Sequence, residues 1–309
     1  METLVSIIVP NYNHCSFLKD RLESILNQTY TNFEIIILDD ASTDCSNGLI
    51  RAYQTHVQVK HVVFNEKNSG SPFLQWKKGL ELANGKYIWI AESDDIARLN
   101  FLETLIPILQ SNPQLVLAYT DSEREESEWR KITKFTQQKI EVFEGETFVR
   151  QKMTSSPAIV NASAVVFKRE TLQEEILSQA NNYKTAYDWL LWCSIILKGK
   201  VAFYPLKLNF FRKHINSTSL TSTQQGLFVI EGLKVLSYLK NNFDINLTFL
   251  QKKGWASVWA QTSLLTNKTK NIFFKSYRHA WNISPILFFY FAYYWLKYKF
   301  FSAININLY

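Results

Sequence analysis

Residues 87–95, YIWIAESDD, set three carboxylates, Glu92, Asp94 and Asp95, directly behind five residues with a strong preference for extended backbone. Carboxylates this close repel one another unless a cation or a proton intervenes. All three offer hard oxygen ligands, which suits Mg2+ or Mn2+. An isolated acidic cluster is as readily a solvated turn, so the neighbouring elements must decide. A second pair, Asp39-Asp40, follows the apolar run 33–38 and could accept hydrogen bonds from base N–H groups or ribose hydroxyls. Helix capping accounts for Asp44 but does not require a pair at 39 and 40. Asp188 opens an apolar stretch, a place where an acid commonly caps a helix and is stabilised by its dipole. His214 stands in Arg212-Lys213-His214, ahead of the polar run NSTSLTSTQQG. Neither G-x-G-x-x-G after the first strand nor G-x-x-x-x-G-K-[ST] anywhere is present, so phosphate would have to be held by a metal and scattered cations.

The elements that position these groups alternate. Strands are expected at 5–9, stopped by Pro10, and at 33–38, 60–64 and 87–91. Between them lie a helix capped by Ser16, a helix near 46–55 and a helix over 72–84 closed by Asn84-Gly85. Runs this apolar read as strands buried on both faces, and ligand-type residues follow each one, where open α/β sheets bind ligands. The pattern predicts an α/β fold with a doubly wound, mostly parallel sheet flanked by helices. Further on, the sequence predicts a helix at 101–109, a strand at 115–119 and an exposed charged stretch at 121–141. A short helix at 143–151, a strand at 162–167 and a helix at 169–180 follow. Two short strands are expected at 201–204 and 208–211, then helices at 227–239 and 249–265.

Several of these segments together, VSIIVPNYN (5–13), NQTY (27–30), FEIIILDDASTD (33–44), NSG (68–70) and GLELANGKYIWIAESDD (79–95), resemble the inverting family 2 glycosyltransferases of the GT-A fold, of the bacterial surface-polysaccharide type. Order and spacing match over about the first two-thirds of the chain. The resemblance implies that Pro10, Tyr12, Asn13, Asp40, Asn68 and Gly70 line the nucleotide, and that Glu92 and Asp94 reach the donor's ribose and diphosphate. It further implies a divalent Mn2+ or Mg2+ held by Asp95, Asp94 and His214, phosphate neutralised by Arg212, and Asp188 as general base. The donor would be a nucleotide-sugar, by family habit a UDP-sugar, and the acceptor a glycan or polyprenyl-linked saccharide. Three positions depart from the pattern. Glu92 stands where the family often has Asp, and Tyr187 precedes Asp188 where the family often has Glu. Residues 75–78, Gln-Trp-Lys-Lys, occupy a helix where relatives often carry arginine.

Charge is unevenly placed. The chain of 309 residues carries +7, yet 227–309 holds ten Lys and Arg against Glu231 and Asp244, leaving −1 for 1–226. Residues 281–301 contain eleven aromatics among twenty-one. A helix from 285 to 296 would be about 18 Å long, short of a ~30 Å hydrocarbon core, and its Trp, Tyr and Lys belong at a water–lipid boundary. A membrane surface is the expected partner, with packing on the catalytic domain or an oligomer interface as alternatives. No nucleic-acid-binding motif accompanies the charge. Cys15, Cys45 and Cys193 lack metal-ligand spacing and read as reduced thiols, and with no signal peptide visible the chain reads as cytoplasmic and peripheral on the membrane.

The expected organisation is a catalytic domain at 1–215, with a nucleotide half (1–95) and an acceptor half (96–215). A flexible segment at 216–226 and a helical extension at 227–309 follow. A nucleotidyltransferase would need the missing phosphate loop. A catalytically degenerate nucleotide-sugar-binding protein or a membrane scaffold is the alternative function.

Overall fold

The computed structural model describes residues 3–124, 126–129, 139–212, 214, 225–265 and 269–303. Parts of the expected charged stretch (125 and 130–138) and flexible segment (216–224) lie outside the described residues. The chain forms two compact units: Met1–Phe148 with Ile159–Asn182 and Leu191–Lys213, and Val149–Ala158 with Tyr183–Leu190 and His214–Tyr309.

Every strand among the described residues belongs to the first unit. Strands β1 (Val5–Asn11), β2 (Phe33–Asp39), β3 (Val59–Phe64) and β4 (Tyr87–Ile90) lie in the order β3-β2-β1-β4, all parallel. Strands β5 (Ile96–Ala97), β6 (Leu115–Glu123), β7 (Glu141–Glu144), β8 (Val165–Lys168) and β9 (Lys200–Phe210) complete the sheet. There β8 runs antiparallel to both β4 and β6, so the run of parallel strands β3-β2-β1-β4 ends at β4. β1 and β2 are buried at every position, which is why their sequences are continuous apolar runs rather than alternating ones. Helices α1 (Cys15–Leu26), α2 (Ser46–Tyr53), α3 (Pro72–Leu82) and α4 (Phe101–Ser111) supply the flanks.

Several expectations need correction. β1 does not stop at Pro10 but runs to Asn11. Its ladder with β4 ends at Ile8, so Pro10 faces β2 alone and its missing N–H disrupts less than in a fully flanked strand. Ser16 does not cap α1; instead Asp44 accepts from Cys15 N and, on its other oxygen, from Ser46 N, each at 2.9 Å, so one carboxylate serves the first residues of two helices. Gly85 is required by close approach, since a Cβ there would meet Ser6 N at 2.5 Å. The stretch 169–180 is three one-turn pieces, not a helix, and 201–211 is the single long strand β9.

The cysteine reading also changes. Cys15 and Cys45 are joined as a disulfide with Cα atoms 5.5 Å apart, and Cys193 is a buried cysteine outside the disulfide. The residues stand at the adjoining starts of α1 and α2, a proximity that a separation of 30 residues hides. Cysteine usage therefore no longer argues for a reducing compartment.

In the second unit, helices Leu227–Phe243, Phe249–Leu265, Thr269–Ile283 and Ile286–Ala303 pack around aromatic side chains. Trp189 stacks on Trp255 at 5.8 Å, and Phe228 stacks on both. A Cβ at Gly232 would meet Trp255 at 2.7 Å, so glycine is what lets the indole close on the helix. Trp259, fully buried, packs on Phe273 and Phe291. Among the described residues no helix is long and apolar enough to cross a membrane.

Candidate active site

The acidic cluster follows β4 as a tight turn closed by Asp95 N to Glu92 O, 3.2 Å. Its three acids are held differently. Glu92 accepts from Trp76 Nε1 of α3 at 2.7 Å, and its backbone N–H donates to Ser163 Oγ. Asp95 is 1% exposed; its Oδ2 accepts from Asn161 Nδ2 at 2.9 Å and its Oδ1 from Arg212 N at 3.2 Å. Asp94 is partly exposed, and its carboxylate and the His14 ring bring ligand atoms within 4.8 Å of each other. Burial, Asp94 and, less, Asp95 push the Glu92 carboxyl up to about 8, while the Trp76 indole and Arg21 hold it down. Asp95 is raised by burial and Asp94, against Arg21 and its hydrogen-bond donors. Hard carboxylate oxygens beside an imidazole form a donor set that fits Mn2+, whose charge would offset this repulsion.

No arginine stands at 75–78 of α3, but a buried cation lies in the acidic cluster from another helix. Arg21 of α1 is fully buried, donates from Nε to the Glu92 carbonyl at 2.8 Å, and lies 5.3 Å from the Trp89 ring. Its terminal nitrogens have no hydrogen-bond partner. Burial pulls the guanidinium down to about 10, while Asp95, Asp94 and Glu92 favour its charge. It thus remains a cation at neutral pH inside the cluster. The sequence did carry a signal: Arg21 interrupts the apolar stripe Leu18, Leu22, Ile25 at helical spacing. Residues 75–78 do other work. Gln75 binds Asp40, Trp76 binds Glu92, Lys77 reaches Glu81 and Glu174, and Lys78 donates to Asn65.

The loops after β1 and β2 are laced together. Asn11 Nδ2 donates to Asp39 Oδ1, Ser42 Oγ to the same oxygen, and Ser42 N to Asp39 Oδ2. Asn13, at φ 54°, accepts from Thr43 N and donates from its own N–H to Ser42 Oγ. Asp40 accepts from Asn65 Nδ2, Ser69 N, Ser69 Oγ and Gln75 Nε2, and its carbonyl accepts from Asn68. Gly70 takes the left-handed φ of 77° that completes this turn. Asp39 therefore ties the end of β1, which carries buried Pro10 and leads to Tyr12, 45% exposed, to the loop after β2, while Asp40 builds the 65–75 turn. Arg212 directs its guanidinium to Asp20 at 2.7 Å, over the Phe17 ring.

Asp188 and His214 are described with the second unit. Asp188 lies in the first turn of the Tyr187–Ile196 helix and accepts from Trp189 N at 2.8 Å. Burial raises its carboxyl to about 7; the Trp189 N–H opposes this and the Glu231 charge adds to it. Glu231, itself buried, accepts from the backbone N–H groups of Lys184, Thr185 and Ala186 at 2.8–2.9 Å, fixing the segment that leads into Asp188. A carboxylate brought near neutrality is a stronger proton acceptor than an ordinary aspartate. Arg21, His14, Trp76 and Glu231 are the residues that sequence reasoning did not single out for the site.

Known proteins share this frame. The model of "Glycosyl transferase family 2" matches residues 6–173, from β1 through β8. TuaG of Bacillus subtilis, named for teichuronic acid biosynthesis, is 26% identical over 243 residues, covering 77% of this chain and 92% of TuaG. The chain covers only 33% to 42% of the length of four further relatives. Among solved structures, S. aureus TarS 1-349 with UDP-GlcNAc superposes with a TM-score of 0.58 at 14% identity, over 96% of this chain and 91% of TarS. The mannosyltransferase PcManGT of Pyrobaculum calidifontis, with GDP-Man and Mn2+, gives 0.56 at 15%, over 94% and 86%. The structural likenesses establish a GT-A type fold. Because the family match spans the strands that carry Asp40 and the acidic turn, the chain belongs to the family 2 glycosyltransferases, and it is a transferase.

Proposed function

We propose that this glycosyltransferase moves a sugar from a UDP-sugar to a glycan or polyprenyl-linked saccharide, with inversion, in surface-polysaccharide assembly. The observation that carries this reading is Asp188, a helix-opening carboxylate that accepts from Trp189 N and is raised to about 7, on a segment that Glu231 fixes through the N–H groups of 184–186. Asp188 takes the proton of an acceptor hydroxyl as that oxygen forms its bond to the anomeric carbon and the bond to the leaving diphosphate breaks on the opposite face. Pro10, Tyr12 and Asn13, at the end of β1 and just beyond it, orient the base, with Asn68 and Gly70 on the neighbouring turn that Asp40 builds. Glu92 and Asp94 meet the ribose and diphosphate side. Asp95, Asp94 and His214 hold a divalent Mn2+ or Mg2+, which when bound supplies Lewis-acid stabilisation of the departing diphosphate. Arg21 keeps the carboxylates compact, and Arg212 N–H orients Asp95.

TuaG, named for teichuronic acid, and TarS, solved with UDP-GlcNAc, support the polysaccharide context and the uridine donor. The division into a catalytic domain at 1–215, a joining segment at 216–226 and an extension at 227–309, with action at the cytoplasmic membrane surface, belongs to the same proposal. The test is to incubate the protein with UDP-, GDP- and CDP-sugars and a panel of saccharide acceptors, follow nucleotide release, and read the product's anomeric configuration by NMR. Release from UDP-sugars with an inverted product is expected. A retained configuration, or release only from GDP- or CDP-sugars, would contradict the reading.

A further inference from the structure

The helix Ile286–Ala303 has two unlike faces. Its inner face packs within the second unit: Leu287 is fully buried, Phe288 and Phe291 close on Trp259 at 5.6 and 4.3 Å, and Tyr298 Oη meets Ser257 Oγ at 2.6 Å. Its outer face carries Ile286, Phe289, Tyr293 and Leu296, at intervals of three and four residues and therefore in one stripe. Phe289 is 75% exposed, Tyr293 59% and Leu296 62%. At about 100° per residue, Lys297 projects to one side of this stripe and Lys299 to the other. Lys299 lies 4.7 Å over the Trp295 ring, while Lys253 of the Phe249–Leu265 helix stands over Tyr290 at 5.9 Å.

An exposed apolar stripe with 3–4 spacing has two natural occupants, a second copy of the same helix or a lipid surface. Charge decides between them. Residues 245–309 contain eight Lys and Arg and not one Asp or Glu. A second copy seated on the stripe would bring lysines against lysines with no acid in either helix to answer them. A bilayer bearing anionic headgroups answers them directly, and lysine stems extend along apolar side chains with their ammonium groups at headgroup level.

We propose that the outer face of this helix is a docking surface for anionic phospholipid. The helix lies in the plane of the interface, Phe289, Tyr293 and Leu296 enter the acyl boundary, and the flanking lysines engage headgroup phosphates. This rests on the reading of a transferase working at a membrane surface, and adds the face and the lipid charge.

The experiment is sedimentation of the full chain with vesicles of phosphatidylcholine alone, and of phosphatidylcholine mixed with phosphatidylglycerol. It includes the double variant Phe289→Ser/Leu296→Ser, checked for native circular dichroism, and the variant Lys297→Glu. Binding to anionic vesicles is expected, at least about tenfold weaker on neutral vesicles and in the double variant, weaker in Lys297→Glu, and falling with salt. Equal binding to both vesicle types, or no binding by folded protein, would overturn the proposal. So would a lipid-free dimer in sedimentation velocity that the double variant dissolves. Calorimetry with UDP and Mn2+ on the same sample separates the two readings: UDP binding without lipid binding sinks the docking surface alone, and lipid binding without UDP binding sinks the donor site alone.

Discussion

Two acidic sites in this chain solve the same electrostatic problem in different ways. At the end of β4 three carboxylates act on a fully buried guanidinium, with an indole donor orienting Glu92 and amide and backbone N–H donors orienting Asp95. In the second unit Asp188 has a neighbouring anion, Glu231, and its burial is opposed by the Trp189 backbone N–H. The first arrangement suits a cation, because its remaining repulsion is relieved by positive charge. The second suits a proton, because its carboxyl is poised near neutral pH. Acidic residues with similar sequence appearance thus acquire different electrostatic settings from their surroundings.

Asp188→Asn should separate the sites most sharply. Turnover should fall by about 10²–10⁴-fold, the range for loss of a general base, with UDP affinity unchanged. Nucleotide release and calorimetry on one preparation check this.

Arg21→Leu should act on stability. Removing one partner from a buried charge cluster leaves the carboxylates uncompensated and costs about 3–5 kcal/mol. Chemical denaturation reads the loss, and added Mn2+ should restore part of it if the cluster is built for a cation.

The pH dependence of Asp188 is the third test. A carboxyl raised to about 7 binds its proton more tightly folded than unfolded. Its contribution to stability is therefore fully present below the unfolded value of about 3.9 and is lost as pH rises toward 7. Activity moves the opposite way, rising through about pH 7 as the base deprotonates. Asp188→Asn should flatten its share of both curves between about pH 4 and 7. In Glu231→Gln the midpoint of the activity curve should move to lower pH, since a like charge has been removed, with a modest fall in kcat from the loosened 184–186 segment.

The smallest effect is expected from Trp76→Phe. It removes the indole donor to Glu92 and should cost on the order of 1 kcal/mol, measured by thermal unfolding, without altering the Asp188 midpoint.

Strands β1, β2 and β4, and the acids after β2 and β4, were legible in sequence because strands buried on both faces leave continuous apolar runs. The family motifs then gave those acids an order. What stayed hidden depends on distance in the chain. Arg21 and Glu92 are 71 residues apart, and Glu231 reaches Ala186 across 45. The Cys15–Cys45 bond joins two helix starts that only the parallel β1–β2 pairing brings together. The helix Thr269–Ile283 was not among the expected elements, although Ile272, Ala280 and Ile283 recur on one face with Ser276 and are buried there.

The most direct measurement is calorimetric titration of UDP, with and without Mn2+, into the parent protein, Asp95→Ala and Asp188→Asn. A cation site and a proton site predict Mn2+-dependent UDP binding in the parent and in Asp188→Asn, and its loss in folded Asp95→Ala. Loss of binding in Asp188→Asn with retention in Asp95→Ala would contradict the assignment of the two sites.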